Sequence, residues 1–208
     1  MDQGGHPLMF ILFCLIAYAA GSLNASILVL QVKTKKDPRT LFSKNAGTTN
    51  VYRILGLKWA GFVLITDVGK AFVMSAAASR FLSVPALLWV GFFLLLGNRF
   101  PCFHGFKGGK GVAHLIGFSL FLTPVFTLLS LAAWCAGYLF FRLPFAGSMV
   151  LVAIIGMGLT RACRPDFMAI AGVIVCMGFI VLNHRSNLLA LVPGYQPMDV
   201  SKKANNAP

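Results

Sequence analysis

Short polar stretches divide the chain into apolar runs long enough to cross a bilayer, and this pattern restricts the fold more than any other feature. A hydrocarbon core of about 30 Å requires about 20 helical residues. Only 11% of the 208 residues are charged, whereas a soluble domain has about 25%. So few charges cannot cover a water-facing surface. The sequence therefore predicts an all-α, polytopic membrane protein, with a single membrane domain over residues 1–198 and a short polar tail over residues 199–208.

Seven candidate spans can be placed on the sequence. The region from Val112 to Phe141 is long for one span and short for two, and we divide it before Pro124 because proline suits the first turn of a helix. Totals of five or six spans are the alternatives. The seven predicted runs are Leu8–Val32, Trp59–Ala78, Phe81–Gly97, Val112–Thr123, Pro124–Phe141, Pro144–Thr160 and Asp166–Asn183.

The distribution of positive charge indicates an orientation in the membrane. With seven spans, fourteen of the 18 Lys and Arg residues fall on the side of the first polar loop, which runs from Lys33 to Lys58. Three others, Arg80, Arg161 and Arg164, fall on the opposite side. Loops rich in Lys and Arg stay in the cytoplasm. We therefore expect an outside N-terminus and a cytoplasmic C-terminus, and this bias, not nucleic-acid binding, explains the net charge of +13.

A glycine-rich basic segment between two apolar runs is the strongest chemical signal. The stretch from Phe106 to Val112 reads FKGGKGV, so it combines backbone N–H groups that a ligand can approach closely with two fixed positive charges. At the start of a helix, the partial positive charge of the helix N-terminus adds to these. The segment predicts a phosphate-binding site at the membrane surface. The alternative is a basic turn that contacts anionic lipid headgroups.

Two further polar segments fall on the same predicted side of the membrane. The first, Ser43–Asn50 followed by Arg53, offers hydroxyls, amides and a cation that suit a phosphate or a polyol. Ser, Thr and Asn are also the preferred helix caps, so an ordinary polar turn is the alternative. In the second, His184 and Asn187 are three residues apart and share a helix face. A histidine at a helix end more often satisfies the backbone than takes part in chemistry.

A pair of opposite charges lies inside the second apolar run. Asp67 and Lys70 are three residues apart, so on a helix they lie on the same face. Charges within the membrane are costly and usually pair with each other or line a polar cavity. The spacing therefore predicts either a mutual ion pair or a contribution to the site.

The motifs argue against a metal site and against ATP hydrolysis. The five cysteines lie far apart and form no C-x-x-C pair, so neither a zinc site nor a disulfide framework is indicated. The glycine-rich segment is not a P-loop, because Lys110 is followed by Gly111 and not by Ser or Thr. We therefore predict no metal and no cofactor.

Taken together, these segments resemble the PlsY family, bacterial membrane-embedded acyltransferases that acylate glycerol 3-phosphate from acyl phosphate. The resemblance covers nearly the whole chain in the right order, and the glycine-rich motif is its most specific part. The matching positions are Gly21-Ser22, Ser43-Lys44-Asn45, Gly47, Thr49-Asn50, Arg53, Asp67, Lys70, Gly97, Phe100-Pro101, Phe106 to Ala113, His184-Arg185 and Asn187.

The resemblance implies a seven-helix enzyme of the bacterial inner membrane whose site faces the cytoplasm. It would move a fatty acyl group from acyl phosphate to the 1-hydroxyl of glycerol 3-phosphate and so form lysophosphatidate, with membrane lipid around it. No protein nucleophile is implied, because acyl phosphate is already activated and the phosphate of glycerol 3-phosphate takes the hydroxyl proton itself. The residues implied to bind substrate and phosphate are Ser43, Asn45, Thr49, Asn50, Arg53, Lys107, Gly108, Gly109, Lys110, Gly111, His184 and Asn187, supported by Asp67, Lys70, Asn98 and Ser148.

Several positions depart from the family pattern. Asn98 stands where a histidine is usual, Asn24 where a proline is expected, and Phe42 and Lys44 where glycines flank Ser43. These departures leave two alternatives to a working acyltransferase: an impaired relative that binds phospholipid or acyl phosphate, and a small-anion carrier. The acyl-chain preference, the use of thioester donors and the oligomeric state are not indicated. The other departures are Phe145, Ala190 and Gln196.

Overall fold

The computed structural model describes residues 7–163 and 165–192 as ten α-helices, with no β-strand among those residues. The sequence predictions that involve Arg164, Gln196, the residues before Pro7 and the tail 199–208 lie outside the described residues. The helices are α1 (Pro7–Ser22), α2 (Ala25–Thr34), α3 (Thr48–Leu55), α4 (Leu57–Ala78), α5 (Val84–Arg99), α6 (Val112–Leu122), α7 (Pro124–Phe141), α8 (Pro144–Ala162), α9 (Phe167–Asn183) and α10 (Arg185–Leu189).

Five segments are long and apolar enough to cross a membrane, and two apolar helices are shorter. The five are Pro7–Thr34, Leu57–Ala78, Val84–His104, Pro124–Phe141 and Pro144–Ala162. The shorter two are α9, with 17 residues, and α6, with 11. At about 1.5 Å per residue, α6 extends over roughly half of a hydrocarbon core. The predicted break before Pro124 is confirmed, whereas the total of seven spans stays a prediction.

One boundary of the sequence prediction is wrong, and the first polar loop contains a helix that the prediction did not assign. The first apolar run is not one helix, because α1 ends at Ser22 and α2 begins at Ala25. Asn24 makes the break possible, since its Oδ1 accepts a hydrogen bond from the Ile27 N–H at 3.1 Å and caps α2. The polar loop that follows is not wholly irregular either. It contains α3, an eight-residue helix that ends before Gly56, whose positive φ of 79° suits glycine.

Small residues allow the spanning helices to approach one another closely. A Cβ atom at Gly97 of α5 would overlap the Tyr18 carbonyl oxygen of α1, and one at Gly117 of α6 would overlap the Val68 carbonyl oxygen of α4. Lipid is as apolar as a leucine side chain, so such close packing, and not the hydrophobic effect, holds helices together in a bilayer. The largest fully buried apolar side chains of the main core cluster are Leu87, Leu88, Leu94, Leu151, Ile155, Leu159 and Ile180.

This packing brings three connections to one end of the bundle. We call residues 35–47, between α2 and α3, the first loop, and residues 100–111, between α5 and α6, the second loop. The third segment is residues 184–187, at the junction of α9 and α10. Arg39 of the first loop contacts the second loop, and Lys110 of the second loop contacts Asn187 of the third segment. The three polar stretches of the sequence therefore lie side by side.

Candidate active site

A cavity of about 390 Å³ lies where the two loops and the third segment meet. Twelve of the sixteen residues proposed from the sequence line it. Lys70, Lys107, Gly108 and Gly109 are the four that do not. The twelve in the wall are Ser43, Asn45, Thr49, Asn50, Arg53, Asp67, Asn98, Lys110, Gly111, Ser148, His184 and Asn187.

The third segment holds the lysine of the second loop. Lys110 Nζ donates a hydrogen bond to Asn187 Oδ1, and Asn183 Nδ2 donates to the Lys110 carbonyl oxygen at 3.5 Å. Burial, and to a smaller extent the neighbouring positive charge of Arg99, lower the pKa of Lys110 to about 8. A partly desolvated ammonium group interacts more strongly with a bound anion than one in open water does. Lys110 is therefore well placed to hold a phosphate.

His184 is an uncharged residue whose ring can accept a hydrogen bond. Its side chain is 3% exposed, and Nδ1 lies 2.9 Å from the Ile180 carbonyl oxygen. A carbonyl can only accept, so Nδ1 carries the proton and Nε2 of the neutral ring is left as an acceptor. Burial lowers the pKa of His184 to about 4, so the ring is uncharged at neutral pH. Such a group can accept a hydrogen bond from a substrate hydroxyl.

The first loop is organised by a buried amide. Asn50 Nδ2 donates to the carbonyl oxygens of Pro38 at 2.8 Å and Leu41 at 3.2 Å, and Asn50 Oδ1 accepts from the Ser43 N–H at 3.4 Å. Asn50 is 1% exposed, whereas Ser43 is exposed. The asparagine side chain therefore shapes the loop that presents Ser43. The sequence pattern did not distinguish this structural role of Asn50 from direct substrate binding.

The glycines of the second loop pack against the end of α5. The Gly108 N–H donates to the Arg99 carbonyl oxygen and the Gly109 N–H to the Asn98 carbonyl oxygen, both at 3.0 Å. A Cβ atom at Gly108 would overlap the Asn98 carbonyl oxygen. Lys107 is exposed, and its carbonyl oxygen accepts from Arg39 Nη1 at 3.0 Å. These three residues fix the course of the chain into Lys110 and do not form the cavity wall.

Two of the positions that depart from the family pattern contact each other. Asn24 Nδ2 donates to Asn98 Oδ1 at 3.3 Å and to the Ala46 carbonyl oxygen of the first loop at 3.4 Å. Asn24 is fully buried and Asn98 is 3% exposed. A buried amide pair of this kind satisfies groups that would otherwise lack partners. Asn98 is thus part of a hydrogen-bonded network that joins α2, the first loop and the end of α5.

The predicted ion pair inside α4 is present, and it has a neighbour that the sequence reasoning missed. Lys70 Nζ lies 2.8 Å from Asp67 Oδ1 and also donates to the Leu23 carbonyl oxygen at 2.5 Å. Asp67 lines the cavity beside His114, whose Nε2 is 4.0 Å from Asp67 Oδ1. His114 is buried on α6. A histidine in an apolar helix just after the glycine-rich segment was the available signal.

The cavity also has an apolar wall, and the sequence analysis did not assign it. Leu131 and Trp134 of α7 and Phe145 of α8 contribute apolar side chains to the cavity lining. Trp134 Nε1 donates to Ser148 Oγ at 3.3 Å, and Ser148 Oγ donates to the Pro144 carbonyl oxygen at 3.0 Å. Side chains of this kind are common in every membrane helix, so the sequence has no signal that separates a cavity wall from a lipid-facing surface.

Comparisons with known protein sequences all indicate the same family. A family model described as glycerol-3-phosphate acyltransferase matches residues 11–194. A glycerol-3-phosphate acyltransferase from Azotobacter vinelandii is 35% identical over 184 residues, which cover 88% of this chain and 96% of the relative. Another, from Cupriavidus pinatubonensis, is 35% identical over 199 residues, covering 93% and 98%.

Solved structures agree as well. The crystal structure of PlsY (YgiH), an integral membrane glycerol 3-phosphate acyltransferase, in its glycerol 3-phosphate form matches this fold with a TM-score of 0.82 at 28% identity, covering 95% of this chain and 99% of that one. The lysophosphatidic acid form gives a TM-score of 0.79 at 29% identity, covering 90% and 94%.

Proposed function

We propose an acyl donor and a mechanism for this chain, which belongs to the glycerol-3-phosphate acyltransferase family. As a PlsY-type member it is a multi-pass membrane enzyme that acylates glycerol 3-phosphate. The proposed donor is an acyl phosphate. The 1-hydroxyl oxygen of glycerol 3-phosphate attacks the acyl carbon, the bond from that carbon to the phosphate oxygen breaks, and lysophosphatidate and inorganic phosphate are released.

The cavity that joins a cationic wall to an apolar wall is the observation that supports this reaction best. Both proposed substrates contain a phosphate, and one also has a fatty chain. Arg53 and Lys110 contribute the positive charge on the loop side, while Leu131 and Trp134 contribute an apolar surface. Since acyl phosphate is already activated, the protein needs to hold two reactants in line and stabilise the departing phosphate.

Each polar residue of the wall is proposed to have a specific part in binding. Arg53 and Lys110 hold the phosphate groups, and Nε2 of His184 accepts a hydrogen bond from a glycerol hydroxyl. Lys107, which is exposed in the second loop, attracts the anionic substrates from solution. The hydroxyl proton passes to the phosphate of glycerol 3-phosphate. The remaining polar contacts are proposed to come from Ser43, Asn45, Thr49, the N-terminus of α6 after Gly111, and Asn187.

The same premise supports a placement in the membrane. Phosphorylated substrates are water-soluble at their anionic ends, so the loops that bind them should face the aqueous side on which they occur. Lysine- and arginine-rich loops remain in the cytoplasm. We place the two loops and the third segment on the cytoplasmic side of the bacterial inner membrane, with α6 and α9 as the two shorter members of a seven-span arrangement.

A reconstituted assay tests the donor and the site together. Purified protein in lipid nanodiscs is given labelled glycerol 3-phosphate and either acyl phosphate or an acyl thioester, and labelled lysophosphatidate is measured. We expect product with acyl phosphate. Lys110→Ala should weaken glycerol 3-phosphate binding by about 1.5–3 kcal/mol, as expected for a lost hydrogen bond to a charged group. Lys36→Ala, which removes an exposed first-loop lysine outside the cavity wall, is the matched control.

The possible results separate the alternatives. Product from thioester alone would contradict the acyl-phosphate donor. Binding of glycerol 3-phosphate without turnover of any donor would identify an impaired relative, and flux of the anion into proteoliposomes would identify a carrier. An unchanged affinity in Lys110→Ala would remove that residue from the phosphate site.

A further inference from the structure

Arg39 has more hydrogen bonds than any site residue, although neither its charge nor its position had marked it as functional. It lies in the 3₁₀ turn Pro38–Thr40 of the first loop. Its Nε and Nη2 donate to the Asp37 carboxylate at 2.6–2.9 Å. Its Nη1 donates to the carbonyl oxygens of both His104 and Lys107 in the second loop, the latter at 3.0 Å. We call this arrangement the Arg39 clamp.

The clamp holds a turn that cannot hold itself by packing. Between the two bound carbonyls, Gly105 and Phe106 have positive φ angles of 64° and 56°. For a bulky residue such as phenylalanine this conformation is strained. The side chains of Phe103 and Phe106 are both 59% exposed, so they do not bury the turn against the protein. Hydrogen bonds to the turn's carbonyl oxygens are therefore its main support from outside the second loop.

A continuous series of contacts leads from the clamp to the cavity on both sides. On the first-loop side, the Pro38 carbonyl oxygen accepts from the buried amide of Asn50, which lines the cavity. On the second-loop side, Lys107 is followed by Gly108 and Gly109, which are tied to the end of α5 and lead directly to Lys110. The position of Arg39 is thus linked, through both loops, to the cationic wall that holds phosphate in the proposed function.

We propose that Arg39 is a positioning residue for acyl transfer, whose guanidinium group fixes the second loop, and with it Lys110, relative to the first loop. The inference rests on the proposed function and adds to it a residue that does not touch substrate. Lysine cannot replace arginine here, because a single ammonium group cannot bond the Asp37 carboxylate and two separate carbonyls in the planar geometry of a guanidinium. The hydrogen bond from Arg39 lowers the pKa of Asp37, so this carboxylate is ionised and the clamp closed at neutral pH.

Kinetics and chemical rescue test the clamp. Arg39→Lys and Arg39→Ala should each lower kcat/KM for glycerol 3-phosphate by about tenfold or more, because small displacements of positioned groups have large effects on rate. Lys36→Gln, which removes an exposed positive charge from the same loop, should stay within about twofold of the unsubstituted enzyme. Millimolar methylguanidinium should restore part of the activity of Arg39→Ala, and it should leave Lys36→Gln unchanged.

The outcomes decide between positioning and a merely structural role. Full activity in Arg39→Lys would overturn the proposal, since charge alone would then suffice. No recovery of Arg39→Ala with methylguanidinium would also overturn it. Calorimetric titration with glycerol 3-phosphate gives a readout that is independent of the acyl donor. If the unsubstituted protein turned over no donor, the proposed function would fail, while a loss of glycerol 3-phosphate affinity in Arg39→Ala that methylguanidinium restores would still support the clamp.

Discussion

The two loops that face each other across the cavity are held in different ways. The second loop is folded by its own backbone: the N–H groups of Phe106, Gly108 and Gly109 donate to the carbonyl oxygens of Pro101, Arg99 and Asn98, each at 3.0 Å. The first loop also contains backbone hydrogen bonds, but its longer-range connections are made by side chains, namely the amide of Asn50 and the guanidinium of Arg39. One loop depends on the absence of side chains, and the other on the presence of particular ones.

This difference predicts which amino-acid substitutions each loop tolerates. In the second loop, an added methyl group at a packed glycine displaces the backbone, and most other side chains are free to vary. In the first loop, a lost side-chain donor leaves carbonyl oxygens without partners. The Arg39 side chain joins the two loops directly, and the Asn24 side chain joins the first loop to the end of α5. Substitutions in each loop, paired with controls, test this difference.

Gly108→Ala should have the largest effect. The new Cβ atom would overlap the Asn98 carbonyl oxygen and lie 2.8 Å from Pro101 Cδ, so the backbone that leads to Lys110 must move. We expect kcat/KM to fall by about a hundredfold, the loss typical of a misplaced catalytic geometry. Gly61→Ala is the matched control, because a Cβ atom there meets nothing within 4 Å. Comparable activity in the two variants would contradict the backbone account of the second loop.

Asn50→Leu should have the next largest effect, on the first loop. Leucine has a similar size but leaves the carbonyl oxygens of Pro38 and Leu41 without the donor that they share. Burying such unsatisfied groups costs about 1–3 kcal/mol, so we expect a lower thermal midpoint in detergent and about tenfold lower kcat/KM. Tyr52→Phe, which removes a hydroxyl from an exposed side chain on the same helix, should leave both values unchanged. An unaltered thermal midpoint in Asn50→Leu would show that the loop has other support.

The division between the loops also explains how much of the site was accessible from the sequence. Glycines and lysines in a short segment report their chemistry directly, so Lys110 was found from its neighbours alone. The contacts of Arg39 with the second loop join residues 65 and 68 positions apart, and their acceptors are backbone oxygens, which every residue has. No residue pattern distinguishes such a donor from any other loop arginine. The sequence therefore identified residues that bind the ligand more readily than residues that position those binding residues.

The same reasoning applies to the fold. Apolar runs and Pro124 were sufficient for the helices and for the break between α6 and α7. The break between α1 and α2 was missed because a single asparagine, Asn24, interrupts an otherwise apolar run. Its Oδ1 caps α2 while its amide nitrogen donates to the Ala46 carbonyl oxygen and to Asn98, which are distant in the sequence. A local boundary thus depends on tertiary contacts that a linear pattern does not contain.

The smallest expected effect, a dependence on pH, sharpens the comparison of the loops because it arises in the second loop, at Lys110. Burial gives Lys110 a pKa of about 8. A lowered lysine pKa means that the charged form, which binds phosphate, is lost as pH rises through about 8. Between about pH 7 and pH 8.5 the charged fraction falls about fourfold, and kcat/KM for glycerol 3-phosphate should fall with it. His184, with a pKa of about 4, does not titrate in this interval.

Lys110→Arg keeps its charge at every pH used, so its profile should be flat from pH 7 to pH 8.5 even if its absolute rate is lower. An alkaline decline of equal size in both enzymes would assign the titration to another group, and a flat profile in the unsubstituted enzyme would contradict the lowered pKa of Lys110, because kcat/KM reports the ionisation of the free enzyme.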